Sequence, residues 1–120
     1  MNKFCAAAIQ MPTVEDKMEN IKAVRHYLEQ IKAQNVDFVV LPEMFCCPYQ
    51  TEKFPEYAEE EGGSVWKALS AYAKEYNIYL VAGSVPEKTT KATCTIPVTF
   101  LTGMECRLEN TERHICLILM

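Results

Sequence analysis

The sequence predicts an α/β protein, because three apolar strand segments alternate along the first 86 residues with two segments whose apolar residues recur at helical spacing. The strand segments are FCAAAI at 4–9, VDFVVL at 36–41 and IYLVA at 78–82. Each is short, mostly apolar and followed by a polar residue, proline or glycine, a pattern that is typical of buried strands. Strand–helix–strand units place consecutive strands side by side and parallel, so the order predicts a parallel or mixed sheet with crossover helices.

Each of the two helices follows from apolar residues at helical spacing after a polar start. In the first, Thr13 with Asp16 three residues later predicts an N-cap and its partner, and Asn35 ends the segment. In the second, Ser64 is the predicted N-cap, and the aromatic residues Trp66, Tyr72 and Tyr76 are expected in the core. The apolar positions of the first helix are Met18, Ile21, Val24, Leu28 and Ile31.

Composition narrows the class of protein. The chain has 120 residues, which fits one domain, and a formal net charge of −4, which disfavours nucleic acid and anionic membranes as partners. No apolar run approaches membrane-spanning length and no signal peptide is recognisable, so we expect a cytoplasmic protein. The six cysteines are expected to be free thiols, and without a CxxC pair the sequence predicts no metal site; no cofactor is expected either.

Glu43 is the candidate functional residue, in the stretch VVLPEMFCCPY at 39–49. It follows the second strand directly, and functional groups of open α/β sheets gather at the carboxyl ends of the strands. A carboxylate at the end of a buried strand is expected to be partly desolvated, which makes it a better proton acceptor. Spacing alone leaves a second interpretation open, in which Glu43 is a surface residue that begins a turn.

Three blocks in consecutive order resemble the nitrilase, or carbon–nitrogen hydrolase, superfamily. They are AAAIQM, VVLPEMFCCPY and IYLVAGSVPE, and the resemblance covers about residues 3–87. FPEYAE, together with the LPEMF and PY segments, is most similar to the omega-amidase branch. The resemblance implies that the chain is the N-terminal portion of a four-layer αββα sandwich and that its family hydrolyses small amides.

The resemblance also implies a mechanism and the residues that perform it. Family members use a glutamate, a lysine and a cysteine, and only the glutamate matches a position here, at Glu43. The cysteine attacks the amide carbonyl to form a thioester, the lysine stabilises the oxyanion, and the glutamate transfers protons. Cys46 and Cys47 are too close to Glu43 in sequence to be the nucleophile, which comes from a later strand, and Tyr49 is a candidate substrate-binding residue.

After Pro86 the regular helical and strand spacing of apolar residues is lost. We therefore divide the chain into residues 1–87, the N-terminal part of the hydrolase domain, and an atypical tail, 88–120. Family members continue with a sequence like YNTSYVFDRNG and then GKHRK.HLFDID, which carries the catalytic lysine. Codons that begin at the third base of each tail codon can encode YNTSYVFDRNG from Cys94 onward and GKHRKTHLFDID near the end. The sequence therefore predicts a frameshift between Glu87 and Cys94, with a short paralogue that has a new tail as the alternative.

Three functional hypotheses follow. The first is a truncated omega-amidase-like hydrolase, inactive as this chain because the family lysine and cysteine are missing. The second is a non-catalytic module that pairs with an intact family subunit; a homo-oligomer is the other expected assembly. The third is a flavodoxin-like domain that binds a small ligand, which the lack of a glycine-rich phosphate loop disfavours.

The frameshift hypothesis makes a prediction about the coding DNA. Sequencing codons 85–120 and the region beyond the stop from independent template should show the shifted frame continuing through HLFDIDV toward a later cysteine. A reading that agrees with the printed tail, with no open second frame, would establish the short chain and its tail as genuine.

Overall fold

A computed structural model of the chain describes residues 5–88, 94–95, 97–101 and 107–112. Its strands are β1 Ala6–Ala8, β2 Phe38–Val40, β3 Tyr79–Ser84, β4 Glu87–Lys88, β5 Cys94–Thr95, β6 Pro97–Leu101 and β7 Arg107–Glu112. Its helices are α1 Lys17–Ile31, α2 Phe54–Tyr57 and α3 Ser64–Tyr76, with 3₁₀ turns at Lys32–Gln34 and Thr51–Lys53.

A five-stranded mixed sheet has the order β1-β2-β3-β6-β7. β1, β2 and β3 are parallel, with Ala7, Val39 and Leu80 side by side in register, while β6 is antiparallel to β3 and β7 to β6. Helix α1 connects β1 to β2 and α3 connects β2 to β3, as crossover connections between parallel strands require. The predicted α/β class and the alternation of strands and helices are confirmed.

One face of the parallel strands forms the core with both long helices. Val39, Leu80 and Ala82 point to this face, and their exposed fractions are at most 1%. The same apolar cluster contains the inward residues of α1 and α3, which are Ile21, Val24, Leu28, Val65, Leu69 and Ala73. The predicted apolar positions Ile21, Val24 and Leu28 thus form the packed side of α1. Met18, which the spacing placed with them, is 48% exposed because it lies in the first turn of the helix. The aromatic residues expected in the core are only partly buried and pack against it: Trp66, Tyr72 and Tyr76.

The opposite face of the sheet is apolar and partly open to solvent. Phe38 and Tyr79 lie next to each other in the β2–β3 register, and their rings stack with centroids 5.0 Å apart. Tyr79 is 49% exposed, and Ala6 and Ala8 of β1 are exposed as well. Alternation along each strand explains this, because every residue adjacent to a core position must point to the other face.

Helix α1 begins at a different cap from the one the sequence suggested. Asp16 is the N-cap, and its carboxylate accepts hydrogen bonds from the backbone N–H groups of Met18 and Glu19. Thr13 is not the cap, because the chain before Asp16 is held by the buried side chain of Asn20, which bonds both the N–H and the carbonyl of Val14. The pattern identified the helix correctly but assigned the wrong capping residue.

The start of α3 also differs from the prediction. Ser64 is the first helical residue rather than the cap, and Gly63 occupies the N-cap position without a side-chain hydrogen bond. The capping role falls to Glu59, whose carboxylate accepts from the Val65 N–H at 2.9 Å and from the Ser64 hydroxyl. A carboxylate from outside the helix thus satisfies a free N–H of its first turn, as Asp or Glu does at many helix starts.

The described part of the predicted tail contributes strands to the sheet. β6 pairs with β3 and β7 pairs with β6, while β4 and β5 form a separate two-stranded ladder. Pro97 is the first residue of β6, a position that proline tolerates in a strand. Residues 89–93, 96, 102–106 and 113–120 lie outside the described part of the structure, and the division at residue 87 and its frameshift origin stay predictions.

Among the described residues, no helix has both the length and the apolar character that crossing a bilayer demands.

Two glycines with left-handed backbones give a test of how closely β2 and β3 approach. An alanine Cβ at Gly83 (φ 62°) would lie 2.2 Å from the carbonyl oxygen of Pro42, whereas at Gly62 (φ 77°) it would meet no atom within 4 Å. Gly62→Ala should therefore cost only the left-handed strain, about 1 kcal/mol of unfolding free energy. Gly83→Ala should cost about 3 kcal/mol, because backbone must also move. Denaturant unfolding of both variants measures this, and equal losses would contradict the close approach.

Candidate active site

Glu43 lies at the carboxyl end of β2, three residues beyond the last strand residue Val40. The Leu41 N–H still donates to the Val81 carbonyl at 2.9 Å, so the pairing of β2 with β3 continues past the strand. Glu43 itself forms an isolated parallel bridge with Ser84. The glutamate is therefore carried by backbone pairing at the edge of the sheet where the sequence placed it.

Ser84 fixes the backbone just after Glu43. The Met44 N–H donates both to the carbonyl oxygen of Ser84 at 3.1 Å and to its hydroxyl oxygen at 3.2 Å, and Ser84 is buried. Met44 adopts a left-handed backbone with φ 52°, which is uncommon for a residue that is not glycine. This local strain is held by the Ser84 hydrogen bonds and by the burial of the Met44 side chain.

The environment of the Glu43 side chain differs from the expectation. The sequence predicted a partly desolvated carboxylate, whereas Glu43 is exposed in this structure. The reason lies in the turn at Met44, which directs the following residues, Met44 to Cys47, into the core and leaves Glu43 outside. The carboxylate therefore faces solvent at the open edge of the sheet.

Cys46 and Cys47 are fully buried next to Glu43 in sequence. Burial, with a smaller effect of the neighbouring Cys47, raises the pKa of the Cys46 thiol to about 12, against the opposing effect of the Lys17 ammonium. A thiol with so high a pKa stays protonated at neutral pH, and the protonated form is a poor nucleophile. The structure thus supports the interpretation of Cys46 as a structural residue.

Tyr49 lies on the same loop, with 68% of its surface exposed. Its ring packs edge-to-face against the buried Phe54, with centroids 5.6 Å apart. One face of the ring is thus held by α2 while the rest is accessible to solvent. Its role in binding substrate stays a prediction.

Two residues of this region had no signal in the sequence that assigned them a role. Ser84 belongs to the GSVPE block, but its double contact with Met44 depends on the β2–β3 register. Glu59 is half-buried beside Lys17, whose Nζ lies 3.1 Å from the Glu59 Oε1 and 2.7 Å from the Tyr57 carbonyl oxygen. Residues 17 and 59 are far apart in sequence, so no local pattern could have paired them.

The described residues contain no group of three or more histidine, cysteine, aspartate or glutamate side chains placed to hold a metal ion. His26 lies on the exposed side of α1, where its ring contacts the side chain of Gln30. The chemistry available at the described site is therefore that of one exposed carboxylate on a rigid backbone.

A family model and individual relatives both match this chain and indicate the same family. The carbon–nitrogen hydrolase family model matches residues 5–118. Human omega-amidase NIT2 is 39% identical over 88 residues, which are 73% of this chain and 32% of that protein. The omega-amidase NIT2 of Danio rerio is 40% identical over the same length. The matched segment thus spans about a third of the length of these relatives.

Solved structures agree on the fold. Nit3 of Saccharomyces cerevisiae, a member of branch 10 of the nitrilase superfamily, superposes with a TM-score of 0.78 at 26% identity, over 84% of this chain and 40% of its own. A CN-hydrolase superfamily protein of Xanthomonas campestris superposes with a TM-score of 0.83 at 20% identity, over 98% of this chain and 43% of its own. Both are similar to the whole arrangement of sheet and helices described above.

The burial of Cys46 and Cys47 predicts their reactivity. A pKa of about 12 instead of 9.0 lowers the thiolate fraction of Cys46 about a thousandfold, and burial also excludes the reagent. In the folded protein, iodoacetamide should modify the exposed Cys5 and leave Cys46 and Cys47 intact, whereas all three should react in denaturant. Peptide mass spectrometry after timed alkylation measures this. Native modification of Cys46 at the rate of Cys5 would contradict the buried assignment.

Proposed function

Because the chain belongs to the carbon–nitrogen hydrolase family, we propose that it is the base-bearing part of an omega-amidase-like hydrolase and has no amidase activity by itself. The position of Glu43 supports this most strongly, since the one family residue that matches the sequence lies exposed at the carboxyl end of a parallel strand. The identity of 39% with omega-amidase NIT2 supports the branch. A small dicarboxylate monoamide is the proposed substrate class of the ancestral enzyme.

In the proposed reaction, Glu43 would take the proton of a cysteine thiol as that sulfur attacks the amide carbonyl carbon. The glutamic acid would then give this proton to the departing ammonia, leaving a thioester. Water, deprotonated by the same carboxylate, would attack the thioester carbonyl and release the carboxylic acid, and the thiol would recover a proton. The carboxylate of Glu43 is exposed, and its backbone is held by the bridge to Ser84. This arrangement suits repeated proton transfer, because the carboxylate can contact a substrate or a thiol that approaches from outside the described residues.

The proposed inactivity follows from the parts that the chain does not match. No lysine or cysteine of this sequence occupies the family's positions for the oxyanion-binding and nucleophilic residues, and Cys46 is buried with a raised pKa. Catalytic residues of one set act as a unit, so removal of the nucleophile costs almost the whole rate enhancement, about 10⁶-fold in a well-studied hydrolase. The frameshift proposed for residues 88–120 accounts for the loss of both residues.

A second proposal concerns a partner. The open face of the sheet, which contains the stacked rings of Phe38 and Tyr79, is the kind of apolar surface that marks protein interaction sites. β1 is the edge strand of this sheet, and in the described part of the chain its outer edge has no neighbouring strand. These observations favour a non-catalytic module that pairs with an intact subunit of the same family.

One experiment separates these proposals. The purified chain, its Glu43→Gln variant, and the chain co-expressed with an intact omega-amidase subunit are assayed for ammonia release from a small dicarboxylate monoamide. The chain alone should release no more ammonia than Glu43→Gln, because both lack the nucleophile. Release that depends on Glu43 in the chain alone would refute the proposed inactivity. Co-elution with the intact subunit, lost in Tyr79→Lys, would support the partner proposal; separate elution would refute it.

A further inference from the structure

Glu59 connects the start of α1, the start of α3 and the segment 84–88. This last segment is bonded to the loop of residues 43–49 that carries Glu43, called the Glu43 loop below. Its carboxylate accepts from the ammonium of Lys17 at the start of α1, and from the hydroxyl of Ser64 and the N–H of Val65 at the start of α3. Only 18% of the Glu59 side chain and 20% of the Lys17 side chain are exposed. The pairs Lys22–Glu19, Arg25–Glu75 and Lys53–Glu15 join side chains with larger exposed fractions, so the Lys17–Glu59 pair is more enclosed than these three.

The backbone of Glu59 holds the segment that follows β3. The Glu59 N–H donates to the Pro86 carbonyl at 3.1 Å, and the Lys88 N–H donates to the Glu59 carbonyl at 2.8 Å. Ser84, which fixes the Met44 N–H beside Glu43, precedes Pro86 by only two residues. The same short segment, 84–88, is therefore held on one side by the Glu43 loop and on the other by Glu59.

The carboxylate of Glu59 is held in its charged form. Although burial raises its pKa, the hydrogen bonds from Ser64 and Val65 and the ammonium of Lys17 outweigh that effect and lower the pKa below its usual 4.5. The Lys17 ammonium also lowers the pKa of the Cys46 thiol slightly, against the larger effect of burial. Glu59 and Lys17 thus form a charged pair between the starts of α1 and α3.

Gly63 shows that the surroundings of Glu59 leave no spare room. A Cβ at position 63 would lie 2.6 Å from the Glu59 Oε2 and 2.8 Å from its Cβ. Its backbone has φ −67°, so any residue could adopt this conformation and the constraint is only the contact with Glu59. Glycine at position 63 therefore leaves the space that the Glu59 side chain occupies.

We propose that Glu59 is a positioning residue for Glu43, which fixes the 84–88 segment against α1 and α3 so that Ser84 presents its two acceptor oxygens to the Met44 N–H. Its consequence for catalysis rests on the proposed function, whereas the positioning itself is a property of this chain. Glu59 touches no reacting group in this proposal and acts through the backbone of residues 84–88.

Amide hydrogen exchange of the whole chain, resolved by residue, tests the proposal through Glu59→Gln. The NH₂ group that glutamine has in place of one carboxylate oxygen cannot accept a hydrogen bond, and both oxygens of Glu59 accept, so at least one bond of the carboxylate is lost. The amides of Met44 and Lys88 should exchange about tenfold faster, because the 84–88 segment opens locally. The amides of Ile9 and Leu41, which are bonded within the parallel sheet, should change less than about twofold.

Glu60→Gln is the matched control, since it removes the same charge from an exposed neighbour and should leave all four amides unchanged. A uniform increase at every amide in Glu59→Gln would mean that Glu59 only stabilises the fold, and would overturn the proposal. Unchanged exchange at Met44 and Lys88 would overturn it as well.

If Glu59→Gln does not fold, Lys17→Met decides, because it removes only the ammonium and keeps the length of the side chain. The same selective pattern at Met44 and Lys88 is expected, with a smaller increase of about threefold. Uniform or absent acceleration in Lys17→Met would overturn the proposal. Exchange requires no turnover, so this outcome is independent of whether the chain hydrolyses amides.

Discussion

The hydrogen bonds from the Met44 N–H to Ser84 are the constraint on which the candidate site depends. They extend the parallel pairing with β3 beyond the end of β2 and hold the peptide that carries Glu43. Gly83 permits this, because the carbonyl of Pro42 occupies the space where its side chain would be. A single line of backbone contacts from Leu41 to Ser84 therefore decides where the carboxylate lies, and flexibility of the glutamate is confined to its own side chain.

The turn at Met44 separates the buried apolar residues of the Glu43 loop from its exposed carboxylate. Residues 44–47 go into the core and contribute apolar burial, which is worth about 25 cal/mol for each Å² removed from water. Glu43, just before this turn, remains exposed to solvent. One short stretch thus contributes both to the stability of the fold and to the site, and the two cysteines belong to the first role. Their proximity to Glu43 in sequence carries no catalytic meaning in the folded chain.

The ion pairs of this chain differ in how much they contribute to the stability of the fold. The pairs Lys22–Glu19 and Arg25–Glu75 lie on the surface, where solvent screens them and they contribute little. Lys17–Glu59 is enclosed and is joined by hydrogen bonds from α3 and to the Tyr57 carbonyl, so both charges are satisfied on several sides. Such a pair is valuable mainly for the geometry that it enforces, because breaking it would leave a charge in a poorly solvated position. The pair joins the start of α1 to the start of α3.

The sequence by itself determined the α/β class, the order of strands and helices, the core faces of both long helices and the place of Glu43 at the end of β2. These properties follow from short-range periodicity and from the rule that parallel strands end at a common edge, so a linear pattern contains them. Tertiary structure alone decided the exposure of Glu43, the capping of α3 by Glu59 and the contact of Met44 with Ser84. Each of these joins residues that are distant in sequence or depends on a backbone turn, and no local pattern of residue types records such contacts.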